Sequence, residues 1–273
     1  MLCLASFLLK KGCTFCATGK MGLMKRLSSD EILIQLYYAK KICRILNDRR
    51  EFLTDIHYKN NEWLPEIDNI VFMGMGDSGD NANSVIEACS IMADRQCFAI
   101  PQNKITISTV GPFPEVFSIL GQADAVLAWS VHAVNDDLRK QLVPTTKYRM
   151  DELKEGLIKS LITRSKRMRA VMIEVTLIED VNDSIKEAKE MVEFCLEIKR
   201  RVQGMKLVVN LIPFNEISHG SYKKSPRNNV VAYQQELVDN GVMSYIRTTR
   251  GDDENAACGQ LATKRLSRNN NNQ

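Results

Sequence analysis

Two cysteines with two residues between them, Cys13 and Cys16 in "GCTFCATG", are the first side chains here whose spacing suggests chemistry. Thiolates at this spacing hold zinc or an iron–sulfur cluster on a tight loop. A zinc site would need a second such pair, and the chain has no other C-x-x-C. A thioredoxin-type redox pair should follow a strand and open a helix, whereas the glycine-containing "ATGKMG" follows here. On spacing alone, the pair reads either as two ligands or as two idle thiols. "MGMGDSG" (residues 73–79) has the glycines of a phosphate cradle but neither the Lys-Ser/Thr ending of a P-loop nor the G-x-G-x-x-G spacing. It reads equally as a glycine turn after a strand, with Asp77 capping a helix. His132 ends an apolar run, where a lone histidine is commonly a hydrogen-bonded core residue. Cys258, in "TRGDDENAACGQLA", follows polar, charged sequence and reads as an accessible thiol near Arg247 and Arg250.

These residues need a frame. Short apolar runs recur along the chain: 69–76, 104–111, 125–132, 170–178, 206–214 and 243–249. Near-continuous apolar runs of this length suit parallel strands covered on both faces. Helix patterns alternate with them over 28–46, 83–93, 150–162, 183–202 and 229–240, the first opened by the cap "SSDE". The charged stretch 47–61 reads as a long loop, and the basic, asparagine-rich 264–273 as a disordered tail. Repeated strand–helix units predict an α/β fold with a parallel sheet, open or closed into a barrel. Polar residues gather where the strands should end ("GMGDSGDN", "STVG", "SVHAVND", "LIPFN"), so one pocket fed by several strand ends is expected.

Composition agrees with a globular chain. Its 273 residues, 44% hydrophobic and 26% charged, suffice to bury a full core. The net charge of +4 is compatible with a polyanion partner without demanding one. Most of the other cysteines read as small buried hydrophobes, Cys89 and Cys195 clearly so, and no secretory leader is visible, so a reducing compartment is expected. "MLCLASFLL" is too short to span a bilayer, which takes about 20 residues.

Together, "GCTFCATG", "VFMGMG", "ITISTVG", "SVHAVNDDLRKQLVP", "VND", "NLIPFN" and "RTTRGDDENAACGQL" resemble, in order and spacing, the radical S-adenosylmethionine (SAM) RNA adenine-C2 methyltransferases of the RlmN type, with the Cfr resistance methylases as relatives. The resemblance runs over 12–263. It implies a partial (β/α)6 barrel of mainly parallel strands, with a [4Fe–4S] cluster on a C-x3-C-x2-C loop. By resemblance Cys13 and Cys16 are cluster ligands, and Gly76, Asp77, Ser108, Ser130, Val131, His132 and Asn215 bind SAM. Cys258 is the catalytic cysteine that carries the methyl group to adenine C2. That carbon offers no nucleophile for ordinary methyl transfer, so radical chemistry supplied by a cofactor is required. The implied partners are large-subunit ribosomal RNA, tRNA, and an electron donor such as flavodoxin or ferredoxin. A monomer without membrane contact is expected, located in the cytoplasm, or in a plastid or mitochondrion if the source is eukaryotic.

The chain departs from the family at three places. Four residues before Cys13, where the first cluster cysteine belongs, stands Leu9; the resolving cysteine's place is Leu2, with Cys3 one position out of register. The family's N-terminal accessory domain has no room here. Segment 1–11 is therefore read as unmatched, the mark of a truncated or mis-started reading frame, with an inactive SAM- or RNA-binding remnant as the alternative. Finally, "GDSG" replaces the family's Gly-Glu-Pro, so the carboxylate of Asp77 is one methylene shorter and Ser78 lacks proline's rigidity.

Overall fold

The computed structural model describes residues 12–16, 25–48, 65–73, 76–215 and 221–247, and the backbone of Leu2 and Cys3. Seven strands form one sheet in strict sequence order: β1 (Leu2–Cys3), β2 (Ile70–Phe72), β3 (Ile105–Thr109), β4 (Val126–Ser130), β5 (Ala170–Leu177), β6 (Lys206–Pro213) and β7 (Met243–Ile246). Every neighbouring pair is parallel. β2 to β7 fall within the six apolar runs; β1 lies in the segment the sequence reading left unmatched.

Because the strand order never reverses, crossovers of one hand place all the intervening helices on the same face. The core bears this out. Alternate strand residues Ile105, Ile107, Leu127, Trp129, Val171, Ile173, Val175, Leu207, Val209 and Leu211 share one cluster with the helices. These are α1 (Ser29–Asp48), α2 (Ala82–Ala93), α3 (Val116–Leu120), α5 (Met150–Thr163), α6 (Ile185–Arg201) and α7 (Arg227–Asp239). The intervening strand residues face the other way, into the concave side of a partial barrel, as the family resemblance implied.

Caps fix where the helices begin. The Ser28 hydroxyl accepts from the Glu31 N–H (3.2 Å) and the Glu31 carboxylate accepts from the Ser28 N–H (2.9 Å), a reciprocal box that "SSDE" foretold. α1 then runs through Asn47 and Asp48, which the sequence reading assigned to a loop; the rest of that expected loop, 49–61, lies outside the described residues. Two short helices were not expected: α3, and α4 (Asp136–Leu142), capped by the Asn135 side chain on the Leu138 N–H (3.0 Å). Asp136 of α4 in turn caps α5, accepting from the Met150 N–H (2.7 Å). Among the described residues no helix is long and apolar enough to cross a membrane.

Candidate active site

The Cys13–Cys16 loop lies across the carboxyl ends of the strands. Its turn is closed by the Cys16 N–H on the Cys13 carbonyl (3.0 Å). The Thr14 N–H donates to the Leu142 carbonyl at the end of α4 (3.0 Å), and the Thr14 hydroxyl lies 3.1 Å from that of Tyr222. Cys13 and Phe15 pack on a small apolar cluster of Val110, Ala133, Leu142, Val143, Ile178 and Phe214, which stand at or just beyond the ends of β3, β4, α4, β5 and β6. Both thiols are half-buried, and neither forms a disulfide. Phe15 meets His132 edge-on, with ring centroids 4.8 Å apart.

Beneath the loop, strand register builds a polar layer on the concave face. Ser130 is the register partner of Glu174 on β5, and Glu174 that of Asn210 on β6. Ser108 on β3 joins them. Its hydroxyl donates to Glu174 Oε2 at 2.8 Å and that of Ser130 to the same oxygen at 3.1 Å, with the two hydroxyls 3.3 Å apart. Glu174 is completely buried, and among the described residues its Oε1 makes no hydrogen bond. Burial raises its carboxyl pKa, opposed by Ser108, Ser130, the Arg247 charge and Asn210. Sequence reasoning found both serines and missed Glu174. The signal was present as a lone acid at an inward position of an apolar strand.

Asp77 holds the end of β2 against that of β3. Its Oδ1 accepts from the Gly79 N–H (2.8 Å) and the Thr109 hydroxyl (2.7 Å), and its Oδ2 from the Val110 N–H (2.6 Å). The expected helix-capping role is therefore real, and the same carboxylate clamps two strand ends. Burial pushes its pKa up to about 6 against the pull of these donors. Gly76, just before it, has φ of 76°, a left-handed turn that a side chain would strain.

After β4 the main chain bulges: the Val131 and His132 N–H groups both donate to the Glu174 carbonyl, at 2.9 and 3.2 Å. His132 takes φ of 60° and its Nδ1 accepts from the Thr176 N–H (3.1 Å). Burial, with the Arg139 charge adding to it, pushes its pKa down to about 3, so the ring is neutral with its proton on Nε2. The Val131 side chain joins the helix-side core, leaving only its main chain toward the site.

Two braces fix these strand ends, and neither was read from the sequence. Arg139 of α4 is buried and donates through Nη1 to the carbonyls of Ser130 (2.7 Å) and Val131, and through Nη2 to that of Val110. Burial lowers its pKa to about 10, while nearby Cys13 and Asp77 favour its charged form. Asn182 of "VND" donates to the carbonyls of His132 (2.7 Å) and Thr176 (2.8 Å) and accepts from the Ile178 N–H (2.8 Å). Asp183 accepts from Ser225 (2.6 Å) and Asn229 (3.0 Å), drawing in the start of α7.

The structure thus gathers Cys13, Cys16, Asp77, Ser108, Ser130 and His132 at one end of the barrel. Asn215 directly follows the Phe214 of that cluster and is half-buried. Cys258 lies outside the described residues. Among those described, no group of three or more His, Cys, Asp or Glu is placed to hold a metal ion.

No family model matches the chain. It is 36% identical over 262 residues to the dual-specificity RNA methyltransferase RlmN of Francisella tularensis (strain FSC 198), and 37% identical over 250 residues to that of Alcanivorax borkumensis. These alignments cover 96% and 91% of this chain but 65% and 60% of those relatives' lengths. A radical SAM methyltransferase from Sphaerobacter thermophilus, known from its crystal structure, is 29% identical with a TM-score of 0.76, over 94% of this chain and 69% of that one. Streptococcus suis SuiB bound to S-adenosylmethionine shares the fold at 12% identity and a TM-score of 0.55, over 91% of this chain and 51% of its own. A sequence-ordered parallel partial barrel, a C-x-x-C loop across its strand ends, and identity along nearly the whole chain agree: this chain has the radical SAM methyltransferase fold and is similar to RlmN-type RNA methyltransferases, spanning just under two thirds of their length.

Proposed function

We propose that this chain is the barrel of a radical SAM methyltransferase that modifies C2 of adenosine in RNA, with Cys258 carrying the methyl group and ribosomal RNA or tRNA as substrate. The observation that carries the reading is the convergence of a thiol loop and a polar strand-end layer on one end of the barrel. Ser108, Ser130 and Glu174 offer hydrogen-bonding groups suited to the nucleoside part of SAM, and a buried carboxylate oxygen without a partner is what such a site leaves open. Neutral His132 packs against Phe15 of the loop, Arg139 holds the strand ends beneath it, and the Phe15 and Phe214 side chains limit water on that side. Cys258 contributes a thiol able to accept a methyl group and present it to the base.

When bound, an iron–sulfur cluster supplies the electron that radical SAM chemistry requires. Cys13 and Cys16 fit two of its three thiolate positions, but Leu9, at the third, has no lone pair to give. The donor set therefore falls short, and no electron-transfer step is assigned to this sequence. That shortfall favours a second reading, in which the chain binds SAM or RNA without turnover.

One experiment separates the two. The chain, its Leu9→Cys variant and the Leu2→Cys/Leu9→Cys double variant are expressed with iron and sulfide under anaerobic conditions, in cells lacking their own adenine-C2 methyltransferase. Iron content is measured, and RNA is analysed by mass spectrometry for 2-methyladenosine. The methyltransferase reading expects Leu9→Cys to gain the cluster, and the double variant, with the resolving thiol also restored, to gain product; a loaded cluster without product in the double variant supports the non-catalytic reading.

A further inference from the structure

Glu174 breaks a local rule. It is the one acid among the concave-face positions of β3 to β6, it is fully buried, and only one of its two oxygens is bonded within the described residues. Buried carboxylates are normally saturated with donors, and exceptions in native folds cluster where a ligand completes them. The bonded oxygen is informative as well. Each serine hydroxyl has a single proton, and both donate to Oε2, so what Ser108 and Ser130 retain is lone pairs. The trio itself presents acceptors only, on three adjacent strands, with Asn210 on β6 a further hydrogen-bond partner of the carboxylate; the complement of the remaining Oε1 is a hydrogen-bond donor.

Two donor groups exist on an adenosyl cofactor's flexible part: the neutral ribose diol and the charged ammonium. Arg247, beyond β7, places positive charge toward Glu174 and favours its anion. An ammonium would be repelled by that charge, whereas two hydroxyls would not. A carboxylate is also a recurrent partner for a ribose hydroxyl in nucleotide sites. We infer that Glu174 is the ribose-binding carboxylate of this site, its Oε1 accepting from a ribose hydroxyl while its Oε2 sets the orientation of Ser108 and Ser130. The inference rests on the SAM-binding reading above and adds to it a residue that neither motif spacing nor family resemblance supplied.

Calorimetric titration of the purified chain with S-adenosylhomocysteine, with its 2′-deoxy and 3′-deoxy analogues, and with 5′-methylthioadenosine tests this. Wild type should prefer the ribose form over one deoxy analogue by roughly 10- to 100-fold, the range of one hydrogen bond to a charged group. Glu174→Leu should lose that preference, weakening the ribose ligands and leaving that deoxy analogue's affinity unchanged; 5′-methylthioadenosine, which has no ammonium, should weaken as much as S-adenosylhomocysteine. Glu174→Gln keeps one carbonyl acceptor and should retain part of the preference. Its thermal midpoint should equal or exceed wild type, since a buried charge has been removed. Equal weakening of ribose and deoxy ligands overturns the assignment in favour of a structural role. Weakening confined to the ammonium-bearing ligand overturns it in favour of ammonium binding. Failure of wild type to bind any of these ligands refutes the SAM-binding reading itself, and the assignment with it.

Discussion

Arg139→Met asks whether a buried guanidinium holds the strand ends together or merely tolerates its position. Two terms compete. Burial lowers the pKa of Arg139 from 12.5 to about 10, a cost on the charged form of about 3.5 kcal/mol at roughly 1.4 kcal/mol per pKa unit. Against it stand three hydrogen bonds from a charged donor to the carbonyls of Val110, Ser130 and Val131, each contributing about 1.5–3 kcal/mol. Two of those carbonyls keep another donor when the arginine goes: Val110 retains Trp129 Nε1 at 3.2 Å, and Val131 retains the Ala133 N–H at 2.7 Å. Losses therefore belong at the low end of the range, about 5–6 kcal/mol before the burial cost is recovered. Methionine keeps most of the buried stem, so packing changes little. The expected net loss is about 1.5–2.5 kcal/mol, read as a lower midpoint in equilibrium urea unfolding with an unchanged slope. Buried charges replaced by apolar groups of similar volume often leave stability unchanged or raised. If Arg139→Met does so here, the bonds do not outweigh burial and Arg139 is no clamp. Because the same bonds fix the main chain around Ser130 and the seat of Cys13, ligand affinity should fall together with stability.

Asp77→Asn removes a carboxyl whose pKa in the fold, about 6, lies above the ordinary 3.8. The native state binds that proton more tightly than the unfolded chain, so Asp77 costs stability as pH rises from about 4 to 6, by up to about 3 kcal/mol. The stability difference between wild type and Asp77→Asn, measured by urea unfolding at pH 4.5 and pH 7.5, should therefore shift against wild type at the higher pH; a constant difference would show that Asp77 does not titrate in this window. Gly156→Ala, in the middle of α5, should destabilise despite alanine's advantage of about 1 kcal/mol in a helix, because the new Cβ would stand 2.8 Å from the Pro114 carbonyl carbon. A loss of about 1–3 kcal/mol is expected, and a raised thermal midpoint would contradict that close approach.

How much of this was legible follows from distance along the chain. The six longer strands were readable because parallel strands buried on both faces leave unbroken apolar runs. The runs overshot the strands for a physical reason: Ile178 and Phe214 are as buried as strand residues, but in the cluster that seats the Cys13–Cys16 loop. α3 and α4 span 5 and 7 residues, too few for a 3.6-residue period to show. Glu174 was hidden by counting "AVMIEVTLI" as one apolar run. Split by the two-residue period of a strand, it gives Val171, Ile173, Val175 and Leu177 on one face and Met172, Glu174 and Thr176 on the other. The braces could not be seen locally: Asn182 bonds His132 fifty residues away, and Asp77 receives Thr109 of β3 on Oδ1 and Val110, just past β3, on Oδ2.

The departures noted in the sequence fall unequally on the two halves of the site. On the proposed nucleoside half, Ser108, Ser130 and Glu174 bond to one another with one acceptor open among the described residues, and Arg139 and Asn182 hold the strand ends that carry them. The shortening of a glutamate to Asp77 does not disturb that half, because the aspartate is engaged by Gly79, Thr109 and Val110 rather than by the serine layer. On the thiol half, two donors stand where the chemistry requires three, and the third position carries Leu9. On the proposed reading, binding and electron transfer are therefore separable: the residues proposed to recognise a nucleoside are positioned by bonds among themselves, while the proposed electron source lacks a ligand at position 9. Restoring a thiol at position 9 should then alter iron content without altering the affinity for S-adenosylhomocysteine. A variant that changed that affinity as well would show that the two halves are coupled through the loop that Thr14 holds in place.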